Sequence, residues 1–454
     1  MKLNVEFLKT VLLVFLVALS LLLTLGLWTF QGDYETSNSD MAADAQMNGT
    51  TDDKQNLVWP NQLLLHDGDA PFALQDKTVE RDIFNDIASW TIYDFEIMTE
   101  ENAFERSNYS QVAEIVFPTD IPFSSIRDIF PAVDDTMRFD GKFKRIYIIL
   151  DENLSNNQII FDNENDGGVD ITASVQNINQ VIEYFMNQRE ENDLTELIEA
   201  TINNDRTVYI PKKPEINGRM VRFETINADS TNFLNIFFRK PSTVASSPDI
   251  QGGTVYSDGQ RELAVRDYAM EYTNFSISDA QDADLEEPMN PSDYLLSSAI
   301  SHINSHNGWF MGQGTYYRLS GLSDVSQTVE FRLTHDNYPV FSTQGLASIN
   351  IMYQNQSVYR YSRPLMNLTR SYERSATDLM TGGELKDYLD ESERFDWSQI
   401  LDIQLGYKLE QQPGGQYFAL IPTWCVETYS GWEYISSDVA PANQGGKPDA
   451  MGTN

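Results

Sequence analysis

From Thr10 to Gly32 the chain carries 23 residues without a charge, bounded by Lys9 and Asp33. At about 1.5 Å of helix rise per residue, such a run is long enough to cross a hydrocarbon core of roughly 30 Å. A cleaved secretion signal has a shorter apolar stretch followed promptly by small residues. This run closes instead on Trp28, Thr29 and Phe30, and aromatic rings at that point suit the headgroup layer. The first Ala-x-Ala triplet after it, Ala43-Asp44-Ala45, lies beyond a polar stretch. A retained transmembrane helix over 10–32 is the expectation, and a cleaved signal the alternative. Lys2 and Lys9 precede the run and acidic residues follow it. The positive-inside rule then leaves residues 1–9 in the cytoplasm and the bulk of a single-pass chain outside the cell membrane.

The exterior is acidic: 68 Asp and Glu face 31 Lys and Arg, a formal net charge of −37. Polyanions are repelled by such a surface and no basic stripe exists to release counterions, so nucleic acid is excluded as a partner. The charge itself reads as a solvated face. With one cysteine, Cys425, no internal disulfide can form, and its place in LIPTWCVE reads as a small buried hydrophobe.

Composition divides the rest. Thr36 to Asn56 contains no aromatic residue and no Ile, Leu or Val, so 33–56 is expected to be a flexible tether. An N-terminal extracytoplasmic domain is expected over 57–166, with a helix in VERDIFNDIASW, strands at AEIVF, RIYIIL and QIIF, and an end in FDNENDGG. A middle domain over 167–275 starts with INQVIEYFMNQREENDLTELIEA, read as helix, and continues through strands that include TVYIP, MVRFETI and NFLNIFF. An acidic linker follows over 276–291. The C-terminal domain, 292–440, opens with the helix PSDYLLSSAISHINSHNGW and runs into a series of strands. Residues 441–454 are expected to form a disordered tail. Helices followed by meandering strands imply α+β domains with antiparallel sheets.

Few residues carry recognisable chemistry. HExxH, GxSxG, SxxK and GxxxxGK[ST] are all absent. Of the four histidines, His302 and His306 stand four apart on a helix, a spacing that can meet one metal, but no zincin glutamate accompanies them. The DNENDG loop places Asp162, Glu164 and Asp166 as a calcium loop would, yet its twelfth position is Ala173, which leaves a turn as the better reading. No cofactor, metal or catalytic residue is expected.

In order, the WTFQ exit with Tyr34, the run His306-Asn307-Gly308-Trp309, the strand VEFRL leading to Tyr338-Pro339-Val340-Phe341, and LIPTW at Leu420 to Trp424 resemble the YycH family of Gram-positive bacteria. The family's patterns are close to WTYQ and HGGW, so Phe30 and Asn307 are departures. The resemblance implies three extracytoplasmic domains, the last two similar in topology, and no catalysis. It also implies an accessory role in an essential two-component system of cell-wall metabolism, through association with a sensor histidine kinase of the YycG/WalK type and a YycI-like protein. Transmembrane helices matter to that association.

A membrane-anchored regulator of such a kinase is therefore the leading expectation. An extracytoplasmic wall hydrolase or a wall-ligand-binding module is the alternative. Ser20, Thr24 and Trp28 are spaced by four and form a candidate contact stripe, since small and hydroxyl side chains give specificity between helices in lipid. Both hydroxyls can instead bond their own backbone carbonyls. In the motif at His306, Gly308 is expected to supply the helix-ending conformation and Trp309 to be a core anchor.

Overall fold

The computed structural model describes residues 13, 17, 45–98, 104–131, 133, 141–150, 159–164, 169–203, 206–227, 231–277, 288, 290–373, 379–415 and 417–435. Strand-forming sequence dominates. The chain first lays down β1 (Gln62–Asp67), β2 (Ala70–Leu74), β3 (Ile92–Ile97), β4 (Gln111–Pro122), β5 (Lys142–Ile149), β6 (Ile159–Asp162), β7 (Ile171–Val175), β8 (Leu194–Thr201) and β9 (Thr207–Pro211). These nine pair, all antiparallel, in the order β3-β7-β6-β5-β4-β1-β2-β8-β9. Successive side chains of a strand point to opposite faces, and both faces here are covered. On β1, Leu63 and Leu65 join the core beneath the helix Lys77–Ala88, while Leu64 packs with Ala73, Val116, Leu197 and Tyr209 on the other side. That helix starts at Asp76, whose carboxylate accepts from the Thr78 amide, and it buries Ile83, Phe84 and Ile87.

The second sheet gathers β10 (Arg219–Thr225), β11 (Ala245–Pro248), β12 (Thr254–Ser257), β13 (Arg261–Arg266), β14 (Ala269–Asn274), β15 (Thr315–Ser323), β16 (Thr328–His335), β17 (Tyr338–Phe341), β18 (Ser348–Gln354), β19 (Ser357–Pro364), β20 (Met366–Glu373), β21 (Ile400–Gln411), β22 (Tyr417–Thr428) and β23 (Gly431–Ile435). Its path is β11-β12-β13-β14-β19-β18-β16-β17-β21-β22-β10-β20, with β15 on β16 and β23 on β22. Among the described residues only the short β17–β21 contact is parallel. The architecture is thus α+β and antiparallel in the main.

Three sequence readings change. Strand pairing runs straight across 166, because β6 pairs β7, and the segment expected as a middle domain is divided: β7 to β9 complete the first sheet, and β10 to β14 belong to the second. The helix that begins at Ile178 stops at Glu191, and LTELIEAT is strand β8, which buries Leu197 on one face and Ala200 on the other. All of NFLNIFF but its last residue, Phe238, lies in the helix Thr231–Phe237, with Phe233, Ile236 and Phe237 buried at i, i+3 and i+4. Most of the acidic linker and all of the C-terminal tail lie outside the described residues.

Candidate functional site

The helix Pro291–Asn304 follows from its sequence. Asn290 caps it by accepting from the Asp293 amide, Pro291 opens its first turn, and Leu295, Leu296, Ala299, Ile300 and Ile303 are buried. The chain then turns sharply, with the Gly308 amide donating to Ile303 O at 2.9 Å. The residue in the left-handed region is Asn307, at φ +50°, not Gly308 as the sequence suggested. Asn tolerates that conformation where most side chains do not, which is also why glycine suits this position in the family pattern. Gly308 is required for space: a Cβ there would stand 2.8 Å from Arg363 Nη1, His306 Nε2 and Ile303 Cγ2. Trp309 is 1% exposed, edge-on to Phe331 at 5.0 Å, and its Nε1 donates to Asn304 Oδ1 at 2.7 Å.

Onto this loop the chain straps its own upstream segment. Residues 45–56, expected to be part of a flexible tether, are ordered, and Ala45 and Met47 are buried. The Met47 amide donates to His306 O at 2.8 Å, Gly49 to Asn307 O at 3.0 Å and Thr50 to Trp309 O at 2.8 Å; the Trp309 amide returns a bond to Thr50 O at 3.2 Å. Asn304 is the hub, since its Oδ1 also accepts from the Asp52 amide at 2.9 Å and its Nδ2 donates to Asp52 O at 2.7 Å. Gly49 lies so close that a Cβ would sit 2.3 Å from Trp309 O. The strap continues into the helix Lys54–Leu57, where Lys54 Nζ reaches Asp128 at 2.6 Å and Asp293 at 2.8 Å.

Under the loop lies a polar cluster with few partners. His302 and His306 have ring centroids 5.5 Å apart, and His302 stands edge-on to Tyr361 at 5.0 Å. Arg363 Nη1 donates to the Tyr361 hydroxyl oxygen at 3.0 Å, and that hydroxyl pairs with His306 Nε2 at 3.1 Å. No carboxylate among the described residues lies within ion-pair distance of Arg363, which is 1% exposed. His302 Nε2, His306 Nδ1 and Arg363 Nη2 are buried without a hydrogen-bond partner. Burial pushes His302 down to about 4; burial, together with His302 and Arg363 nearby, holds His306 well below the ordinary range. Both rings are neutral at pH 7.

A second buried polar group sits on the face of the first sheet that meets the second. Glu114, fully buried, accepts from Arg145 Nη1 through one oxygen; its other oxygen pairs with His66 Nε2 at 2.7 Å and accepts from Tyr209 Oη at 2.8 Å. Arg145 also bonds Glu164 and the Thr207 carbonyl. Burial alone would raise Glu114, but the Arg145 charge and the bond to His66 hold it below the usual carboxylate range. Both its oxygens are engaged, so it offers no free position to a substrate. Glu164, part of the calcium-like loop in the sequence, is committed to Arg145 and Lys144. Among the described residues no group of three or more His, Cys, Asp or Glu is placed to hold a metal.

The family described as YycH protein, N-terminal domain, matches residues 6–191, and YycH protein, C-terminal domain, matches 205–440. The chain belongs to the YycH family. It is 21% identical over 457 residues to the Bacillus subtilis (strain 168) protein named "Two-component system WalR/WalK regulatory protein YycH", covering 96% of this chain and 97% of that one. The crystal structure of YycH from Bacillus subtilis shares the fold, with a TM-score of 0.64 and 17% identity over 87% of this chain and all of that one.

Within this YycH-family chain the structure brings His306, Gly308 and Trp309 together in one loop. Ser20, Thr24 and Trp28 lie outside the described residues; of the apolar run only Leu13 and Val17 are described, both helical and exposed. No helix among the described residues is long and apolar enough to cross a membrane. Sequence reasoning missed Asn304, Gly49 and Arg363. Asn304 and Gly49 act through main-chain bonds to residues some 250 positions away, for which neither periodicity nor composition carries a signal.

Proposed function

We propose that this chain is a membrane-anchored, extracytoplasmic regulator of a WalK-type sensor histidine kinase that acts with a YycI-like protein. The observation that carries the reading is the correspondence, over nearly the whole of both chains, with a protein named as a regulator of the WalR/WalK system. The uncharged run at 10–32 supplies the anchor, and its Ser20, Thr24 and Trp28 stripe supplies the contact with partner helices in the bilayer. The strap at 45–53 adds a mechanical route: a shift of the anchor reaches the loop at 306–309 after a short connection, because the strap is hydrogen-bonded to that loop.

Crosslinking the full chain in intact membranes tests this. Recovery of a sensor kinase and a second single-span protein is expected. Replacing Ser20 and Thr24 together by Leu should leave membrane levels unchanged and weaken that capture. Gly49→Val should leave capture intact and change kinase output, because it breaks the strap alone. Capture of neither partner by the unaltered chain, or cleavage of wall polymers by the purified protein, would overturn the proposal.

A further inference from the structure

Where the two sheets meet, a cavity of about 80 Å³ opens between β1, β2, β4, β5, β8 and β9 on one side and β15, β17 and β21 on the other. Its lining runs against the character of the molecule. In a chain with more than two acidic residues for each basic one, six cationic side chains line this cavity, against three acidic ones, Glu164, Glu215 and Asp402. Three of the six are already committed: Arg145 and Lys144 to Glu164, and Lys77 to Glu80.

The other three, Arg206, Lys213 and Arg318, have no carboxylate partner within ion-pair distance among the described residues. Arg206 donates only to main-chain oxygens, to Asn203 O at 3.3 Å and Leu401 O at 3.2 Å. Lys213 is exposed at the rim. Arg318 is the informative residue. It is 5% exposed and lines the cavity, yet among the described residues its guanidinium makes one hydrogen bond, from Nη1 to Pro60 O at 3.2 Å. A guanidinium has five N–H donors in a planar fork shaped for a carboxylate or phosphate. Burial, with the Arg332 charge nearby, pulls its pKa down to about 10 against the opposing influence of Tyr316, Glu80 and Asp402, and buried charges are ordinarily paired at contact distance. Beside it, Asn61 Oδ1 is buried with no donor, so the cavity also presents an unused acceptor. Ala73, Leu74, Val116, Leu405 and Trp424 add apolar wall.

We propose that this cavity binds a small anion, a carboxylate or phosphate group that also carries a hydrogen-bond donor. The Arg318 fork holds the anion, Arg206 and Lys213 complete its neutralisation, and the Asn61 carbonyl oxygen accepts from the ligand's donor. Because both sheets contribute, an occupied cavity tightens their contact. The proposal is independent of the kinase reading.

The test uses the full chain in nanodiscs at fixed ionic strength set with chloride. Inorganic phosphate and lactate are titrated separately, following the thermal midpoint and calorimetric heat. A saturable rise of the midpoint with one probe and not the other assigns the class; a rise with both leaves the shared anion chemistry standing. Arg318→Met should weaken binding by about tenfold to a hundredfold, as expected for a lost charge-assisted bond. Lys213→Gln, at an exposed position that does not threaten folding, should weaken it several-fold. No saturable response to either probe, or affinity in the Lys213→Gln and Arg206→Gln variants unchanged from that of the unaltered chain, overturns the site.

Discussion

The two buried polar clusters contain similar residues and solve different problems. Around Glu114, each charge meets an opposite one and every Glu114 oxygen has a donor, although His66 Nδ1 and Glu164 Oε2 have no hydrogen-bond partner among the described residues. Around Arg363, the only charge faces neutral rings, a phenol and the Phe310 face at 5.0 Å, and three buried nitrogens lack partners. The first cluster lies on the face between the sheets, where Arg145, Glu164 and Tyr209 line the cavity. The second lies beneath the loop that receives the strap, with its stability supplied by apolar neighbours rather than by its polar atoms. The comparison teaches that burial alone does not make a polar group structural; pairing of opposite charges does.

The largest expected effects separate the clusters directly. Arg145→Met leaves Glu114 buried without its arginine counter-charge and Glu164 with Lys144 alone, and should cost about 3 to 5 kcal/mol in denaturant unfolding. Arg363→Met strands no carboxylate and should change stability by less than about 1 kcal/mol. Equal costs would erase the distinction. At the loop the comparable loss comes from Trp309→Ala, about 3 to 5 kcal/mol for a fully buried indole, and an effect below about 1 kcal/mol would mean that the loop repacks around the gap.

Acid should tell the clusters apart next. A histidine kept neutral by burial binds a proton less readily folded than unfolded, so the His302 contribution is intact above 6.5 and erodes as pH falls from 6.5 towards about 4. At pH 5 this amounts to about 1 to 2 kcal/mol from His302, and His306 adds in the same direction. Glu114 acts in the same direction but in a lower window: its folded pKa lies below the ordinary 4.5, so its contribution is present above 4.5 and is lost only as pH drops beneath that. Unfolding at pH 7 and pH 5 should therefore show a decline that Glu114→Gln leaves in place and His302→Phe diminishes.

The smallest effect in stability is the most local. Gly49→Val should cost about 1 kcal/mol or less globally, since few apolar atoms are involved. It should nevertheless abolish hydrogen-exchange protection at the Met47, Gly49 and Thr50 amides, with the sheets unchanged. Retained protection at those amides would show that the strap tolerates a side chain where a Cβ would stand 2.3 Å from Trp309 O.

The sequence by itself determined what depends on neighbours along the chain. The uncharged run between Lys9 and Asp33, the stripe Leu296, Ala299, Ile300 and Ile303, the alternating strands and the ordered family motifs are all short-range patterns. Where two local patterns compete, tertiary structure decided: LTELIEAT carries helix-forming residues, yet it pairs with β2 and β9, and its inward face is set by those partners. The strap shows the same limit from the other side. A segment without Ile, Leu, Val or aromatic residues has little apolar surface to order it, and it is ordered here because the loop after Asn304 offers main-chain acceptors and leaves room for Gly49. The site itself was partly legible: His306, Gly308 and Trp309 stand together in the sequence, whereas Asn304, Arg363 and Gly49 join them only through folding. The Arg318 cavity was not legible at all, because its walls come from strands more than 200 positions apart, and the absence of a partner for a charge is a property of three-dimensional space.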